Sequence, residues 1–219
     1  MSKSYCVIGS INTDFVAFVN RFPKAGETIN GSKFFTYFGG KGANQAVALS
    51  RLQAKVEMVG MVGDDLFGRS YIEHFTAEQV DTSLIKKVSN TTTGVAVIEV
   101  EASGQNHIII ISGANSRFNL SYVEENMQRI LSNDIFLLQL ELQPDTVFQT
   151  INVLHEHNKY VILDPAPVPV KGIPQEVYRK VDILTPNESE TELLTSIALN
   201  TVDDIKRAGE KLLGFGVPV

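Results

Sequence analysis

The sequence predicts an α/β fold: a mostly parallel sheet with helices on both faces, plus a small additional β layer. Three observations carry this expectation. Short apolar runs alternate with amphipathic stretches from Tyr5 to Leu213, the pattern of βαβ units. The 219 residues are 43% hydrophobic and 20% charged, which excludes a disordered, collagen-like or low-complexity chain. One stretch interrupts the alternation, with two strand-like runs between the first strand and the first long helix. A net charge of -6 argues against a nucleic-acid surface, whose affinity comes mostly from phosphate neutralisation. The single cysteine, Cys6, excludes an intrachain disulfide and a multi-cysteine zinc site. The first ten residues lack the apolar core and cleavage site of a signal peptide, and no stretch approaches a membrane span. The expectation is a cytoplasmic protein with neither a membrane nor a nucleic-acid partner.

The elements follow in order. Tyr5–Ile11 reads as a strand ending in Gly-Ser-Ile-Asn, with Cys6 as a buried core thiol. Phe15–Val19 and Lys33–Phe38 are strand-like. The second holds Phe34, Phe35, Thr36, Tyr37 and Phe38, and consecutive apolar residues on a strand point to both faces, so both faces need cover. These segments read as a small sheet projecting from the main domain; the alternative is that they belong to the core sheet. Lys41–Leu52 is a helix with a small-residue face of Ala43, Ala46, Val47 and Ser50. Lys55–Val62 is a strand and Leu66–Gln79 a helix. Thr93–Val100 and His107–Ser112 form a hairpin through Gly104. Leu120–Leu131 is a helix capped by Asn119 or Ser121. Strand and helix then alternate through Ile135–Leu140, Asp145–His157, Tyr160–Leu163, Pro174–Lys180, Asp182–Leu184, Glu188–Leu194 and Val202–Leu213.

Ligands of open parallel sheets bind outside the carboxyl ends of the strands. Polar residues follow five strand candidates: Asn12 and Asp14; Asn115; Glu141; Asp164; and Asn187 with Glu190. Singly, each reads as a turn former or helix cap. Together, on a single edge of one sheet, they read as a polar ligand site. Gly39-Gly40-Lys41-Gly42-Ala43-Asn44 leads into a helix, where glycines permit close backbone approach and unpaired N–H groups can meet oxygen ligands. It is not a Walker A loop, since Phe35 stands where the earlier glycine belongs and Gly42 follows Lys41. No His-Glu-x-x-His or Gly-x-Ser-x-Gly occurs, which argues against zinc and serine-hydrolase chemistry.

These residues resemble the ribokinase-like (PfkB) carbohydrate kinases, and within them the ribokinase branch. Gly9-Ser10-Ile11-Asn12-Thr13-Asp14, Gly26-Glu27-Thr28 and Gly39–Ala46 are similar to the family's first signature. Gly60–Gly68, Ser112–Asn115, Leu138–Glu141, Asp164–Pro167 and Thr185–Glu190 are similar to later blocks, in order, over the whole chain. The resemblance implies ATP-dependent phosphorylation of a primary hydroxyl of ribose or a similar sugar. It implies sugar contacts from Asn12, Asp14, the backbone at Gly40 and Lys41, Asn44 and Glu141. It places Asn187 and Glu190 at the nucleotide phosphates, with Glu190 addressing magnesium through water. It implies ATP, magnesium and a monovalent cation as cofactors. The whole of residues 1–219 is then one ribokinase-like domain with lid strands from about 12–38 and 93–112, forming a homodimer through the lid.

The family's Gly-Ala-Gly-Asp element, carrying the anion hole and the catalytic base, has no counterpart in these 219 residues. The expectation is a chain incomplete at its C-terminus and, alone, inactive or severely impaired, with no catalytic residue of its own. The alternatives are a non-catalytic sugar-binding remnant, or a nucleoside or fructose kinase of the same family.

Overall fold

The computed structural model describes residues 3–218. The chain runs through β1 (Ser4–Ile8), β2 (Asn12–Val19), β3 (Lys33–Gly39), α1 (Lys41–Arg51), β4 (Lys55–Gly63), α2 (Leu66–Ala77), β5 (Asp81–Val88), β6 (Gly94–Glu101) and β7 (Asn106–Ile111). After a 3₁₀ turn at Gly113–Arg117 come α3 (Leu120–Glu125), α4 (Met127–Ile130), β8 (Ile135–Gln139), α5 (Pro144–Glu156), β9 (Tyr160–Asp164), α6 (Gln175–Tyr178), β10 (Ile183–Leu184), α7 (Glu188–Thr195) and α8 (Val202–Gly214).

Six strands form a parallel sheet in the order β10-β9-β8-β1-β4-β5. Helices cover both faces, which is why its strands read as continuous apolar runs. Cys6 and Ile8 point into one core, with Phe118 from the turn before α3, Ile130 from α4, and Phe148, Ile151 and Leu154 from α5. Val7 points the other way, into a core with Ala43 and Ala46 of α1 and Tyr71 and Phe75 of α2. The small-residue face of α1 lets it lie close to the sheet. Gly42 packs on the end of β1, where an added Cβ would fall 2.7 Å from the Cα and carbonyl carbon of Gly9. Both neighbours are backbone and cannot step aside. Gly42→Ala is therefore expected to destabilise the protein by about 1–3 kcal/mol, the range for overpacking, as read from the shift of a urea unfolding midpoint.

The remaining strands form a second sheet, order β3-β2-β6-β7, with β2 parallel to β6 and the outer pairs antiparallel. The two interrupting segments thus belong to a separate sheet, and the Gly104 hairpin joins its last two strands. Gly104 has φ +87° and donates its N–H to Glu101.

The structure departs from the sequence reading in three places. β5 has no counterpart in that reading: Asp-Thr-Ser-Leu-Ile-Lys-Lys-Val alternates weakly and is charged, as suits an edge strand that must discourage further pairing. The helix expected over Leu120–Leu131 breaks at Asn126. The Asn126 side chain donates to the Tyr122 carbonyl at 2.8 Å, an alternative to the helical ladder that this residue type offers. Finally, the polar residues do not lie on one edge of one sheet. Asn12 and Asp14 are the first and third residues of β2, and Asn115 follows β7, both strands of the second sheet. The site lies where one sheet roots on the other.

Candidate acceptor and phosphate site

The parallel sheet has its switch point between β1 and β8, because the chain runs from β1 toward β4 and β5 on one side and from β8 toward β9 and β10 on the other. Such a crevice is where α/β sheets bind ligands. Asn12 follows β1 and Glu141 follows β8, so the two flank it, and the N-terminus of α1 closes the third side.

Gly40 makes this junction possible. It has φ +90°, and a Cβ there would fall 2.8 Å from both the Ser10 carbonyl oxygen and the Asn12 nitrogen. The chain can therefore turn from β3 into α1 directly against the segment leaving β1. Across the crevice, Glu141 Oε2 accepts from the Ser10 hydroxyl at 2.5 Å and from the Lys41 N–H at 2.9 Å. A carboxylate at a helix N-terminus is also favoured by the helix dipole. Asn12 is buried, and its Oδ1 accepts from Asn115 Nδ2 at 2.8 Å. Asn115 is held in turn by the Ile11 backbone: its Oδ1 accepts from the N–H and its Nδ2 donates to the carbonyl, both at 3.1 Å.

Asp14 stands half-buried over this ring. Burial, then repulsion by Glu141, raises its pKa from 3.8 to about 6. Asn44 is exposed on the first turn of α1 and opens onto a neighbouring cavity of about 430 Å³ lined by Tyr37, Val47, Arg51 and His74 among others.

Farther along the sheet edge, Asn187 and Glu190 come together at the start of α7. They do not share a helical face as their spacing suggests. Asn187 is the N-cap, and the two form a reciprocal capping box: Asn187 Oδ1 accepts the Glu190 N–H at 2.9 Å, and Glu190 Oε2 accepts the Asn187 N–H at 2.9 Å. Asp164, the last residue of β9, lies near Glu190. Its pKa is raised, first by burial and then by Glu190, while Lys41 and a hydrogen bond from Gln45 pull it down.

Sequence reasoning overlooked the polar residues that support this site. Gln139 is fully buried at the end of β8; its Nε2 donates to Gln45 Oε1 at 2.7 Å, and Gln45 Nε2 donates to Asp164 at 3.2 Å. The signal was present, since a glutamine inside the apolar run Ile135–Leu140 must find a partner. Ser10 and Tyr71 carried no such signal: a serine before a turn and a tyrosine on an amphipathic helix are ordinary.

The family described as pfkB family carbohydrate kinase matches residues 2–219. The chain is 40% identical to ribokinase of Haemophilus influenzae over 197 residues, covering 90% of this chain and 64% of that protein. It is 37% identical over 211 residues to deoxyribokinase of Salmonella typhi, covering 96% and 69%. The structure of Arabidopsis thaliana ribokinase complexed with ribose and ATP superposes with a TM-score of 0.89 at 33% identity, covering 99% of this chain and 70% of that one. The chain thus spans about two thirds of the length of these relatives. By the family match over nearly every residue, the chain belongs to the pfkB family of carbohydrate kinases.

Proposed function

We propose that these residues form the sugar-acceptor half, and part of the phosphate side, of an ATP-dependent kinase for ribose or a closely similar sugar. One observation carries the reading: Asn12, Asp14 and Glu141 converge on the switch-point crevice, each with bonding capacity that the protein leaves unused. Both protein donors to Glu141 go to Oε2, so Oε1 is available to a sugar hydroxyl. Asn12 gives its Oδ1 to Asn115, so its Nδ2 is the group left to donate. Asp14, once ionised, accepts two hydroxyls of a vicinal diol. The backbone at Gly40 and the side chain of Asn44 extend the same rim, whereas the Lys41 N–H, expected among the sugar contacts, is taken by Glu141.

ATP would supply the transferred phosphoryl group, and magnesium would draw charge from its phosphates. The donor set suits a hydrated ion: among the described residues no cluster of three or more His, Cys, Asp or Glu could hold a metal directly. Glu190, already accepting from Asn187 on both oxygens, and Asp164 beside it are placed to meet an ion through its waters. Lys41 offsets their charge. The second sheet acts as a lid: Asp14 lies on it, and closure over the sugar excludes the water that competes as acceptor.

Calorimetry with ribose tests the reading, and pH sharpens the test. Ribose is neutral, so binding follows the ionisation of Asp14. Affinity is expected to fall about tenfold from pH 7.5 to pH 5, one unit below a pKa of about 6. Fold stability has the opposite dependence. Native Asp14 holds a proton between about pH 4 and 6 that the unfolded chain has lost, so its contribution weakens as pH rises through that window. Absence of ribose binding at any pH would overturn the assignment. A panel with fructose and nucleosides separates the ribose reading from its rivals within the family.

The lid also mediates a homodimer in this proposal. Register partners share a face, which places Asp14 with Tyr37, Phe35, Ala96 and Ile110 on one side, and Phe34 with Phe15, Val97 and Ile109 on the other. Near the root, the second face packs on α2 through Phe15 and Phe67, whose rings meet edge to face at 5.3 Å. Toward the tip, Phe34 is 62% exposed and Ile109 63%. Patches of this kind mark association surfaces. Light scattering at micromolar concentration is expected to give a dimer that Phe34→Lys with Ile109→Lys converts to monomer. A wild-type protein found only as monomer would refute the interface.

A further inference from the structure

The strands that carry the lid are held at their root by one buried hydroxyl belonging to neither. Tyr71, on α2, is fully buried. Its Oη lies 2.7 Å from the carbonyl oxygen of Asn12 and 2.5 Å from that of Gly39. Asn12 and Gly39 are register partners, the rung of the β2–β3 ladder nearest the main body. A tyrosine hydroxyl has one proton, so it bridges the two carbonyls as a shared donor. Burial, then the nearby Asp14, raises its pKa and keeps that proton in place. The ring is fixed by Phe38, edge-on at 4.9 Å, and by Phe75 at 5.3 Å. His74 lies flat on Phe38 at 4.0 Å.

The same helix holds the third lid strand. Its N-cap, Asp65, accepts from the Thr93 N–H at 2.8 Å and from the Thr93 hydroxyl at 2.6 Å, immediately before β6 begins. Three of the four lid strands are therefore rooted on α2.

The root in turn sets the acceptor groups. The Asp14 carboxylate rests on the Cα of Gly39, where an added Cβ would fall 2.2 Å from Asp14 Oδ2. Gly40 packs on the backbone of Ser10–Asn12 and starts α1. A shift of the Asn12–Gly39 rung would move Asp14, the Asn12 side chain and the first turn of α1 together.

We propose that Tyr71 is a positioning residue for sugar binding, a clip that bridges the Asn12 and Gly39 carbonyls and so fixes the lid root and the acceptor groups it carries. Only the ligand part of this inference rests on the acceptor-site reading.

The test compares Tyr71→Phe with Tyr122→Phe. Tyr122 donates its hydroxyl to the Leu84 carbonyl at 3.1 Å, so its loss also removes a hydrogen bond to a backbone carbonyl, but away from the lid. Amide exchange of segments 12–19 and 33–40 is expected to quicken about tenfold in Tyr71→Phe, the scale of one net hydrogen bond, and to remain unchanged in Tyr122→Phe. The ribose dissociation constant should rise about tenfold in the first variant only. Unchanged exchange in Tyr71→Phe, or equal acceleration in both variants, overturns the clip. If exchange quickens as expected but wild-type protein binds no ribose, the acceptor-site reading fails and the clip at the lid root stands. Should Tyr71→Phe fail to fold, the wild-type protein still decides. Its NMR spectrum must show a slowly exchanging Tyr71 hydroxyl proton, and the absence of that proton overturns the proposal.

Discussion

Asp14→Ala is expected to weaken ribose binding by about 10²–10⁴-fold, the scale of two charge-assisted hydrogen bonds lost together. The carboxylate is the only ionised acceptor on the lid side of the crevice among the proposed sugar contacts. The fold should survive the change. Asp14 is a half-buried group whose surroundings already disfavour its charge, through burial and through Glu141. At neutral pH its removal relieves a destabilising carboxylate, so a urea midpoint equal to wild type or above it is expected. Active-site residues often trade stability for function in this way. Asp14→Asn keeps the shape and loses the charge, and should fall between the two. Calorimetry on the folded variant decides the matter: ribose affinity unchanged in Asp14→Ala would remove Asp14 from the site and, with it, the main reason for placing the sugar beneath the lid.

The second large effect concerns turnover. A polypeptide of these 219 residues is expected to phosphorylate ribose at least about 10⁴-fold more slowly than a full-length relative. Within the described residues the proposed acceptor side consists of Asn12, Asp14, Asn44 and Glu141, and the proposed phosphate side of Asn187 and Glu190. None of them is placed as a base for the acceptor hydroxyl: Asp14 and Glu141 are assigned to other hydroxyls of the sugar. The start of α1, the glycine-flanked helix terminus in the crevice, does not supply an anion hole. Its Lys41 N–H donates to Glu141, and its Ala43 N–H donates to the Ser10 carbonyl at 3.0 Å. A general base contributes about 10²–10⁴ in rate and one oxyanion donor about 10²–10³. Because such contributions are not additive, the lower end of their product is the appropriate expectation. A coupled ADP-release assay with ribose, ATP and magnesium measures it. Turnover within tenfold of a full-length relative would show that the Gly-Ala-Gly-Asp element is dispensable.

Most of the architecture was legible in the chain, for reasons that can be assigned. Buried parallel strands must be apolar on both faces, so β1, β4, β8 and β9 stood out as runs without alternation. Lys33–Phe38 interrupts the βαβ alternation with four aromatics spread over both faces, which reads as a projecting sheet with the core sheet as the alternative; the structure puts the strand in the second sheet and leaves those aromatics partly exposed instead of covered. β5 was hidden for the converse reason: an edge strand needs neither uniform apolarity nor strict alternation, and its lysines resemble a loop. Asn126 broke a helix through a side-chain bond to Tyr122 that periodicity does not register.

The site divides along the same line. Local sequence alone determined which residues had chemistry to offer: carboxylates and amides after strands, and a Gly-Gly turn into a helix. The Asn187–Glu190 pairing lay within its reach, since a capping box is local to four residues, but the spacing reads as a shared helical face and the structure makes Asn187 the N-cap instead. Tertiary structure decided everything that depends on distance across the chain. Ser10 and Glu141 are 131 residues apart and 2.5 Å in space; Tyr71 joins Asn12 to Gly39 from a third element. The raised pKa of Asp14 exists only because a lid strand, a helix start and the loop after β8 exclude water around two carboxylates. Burial and long-range charge are properties of packing, and no window of neighbouring residues contains them.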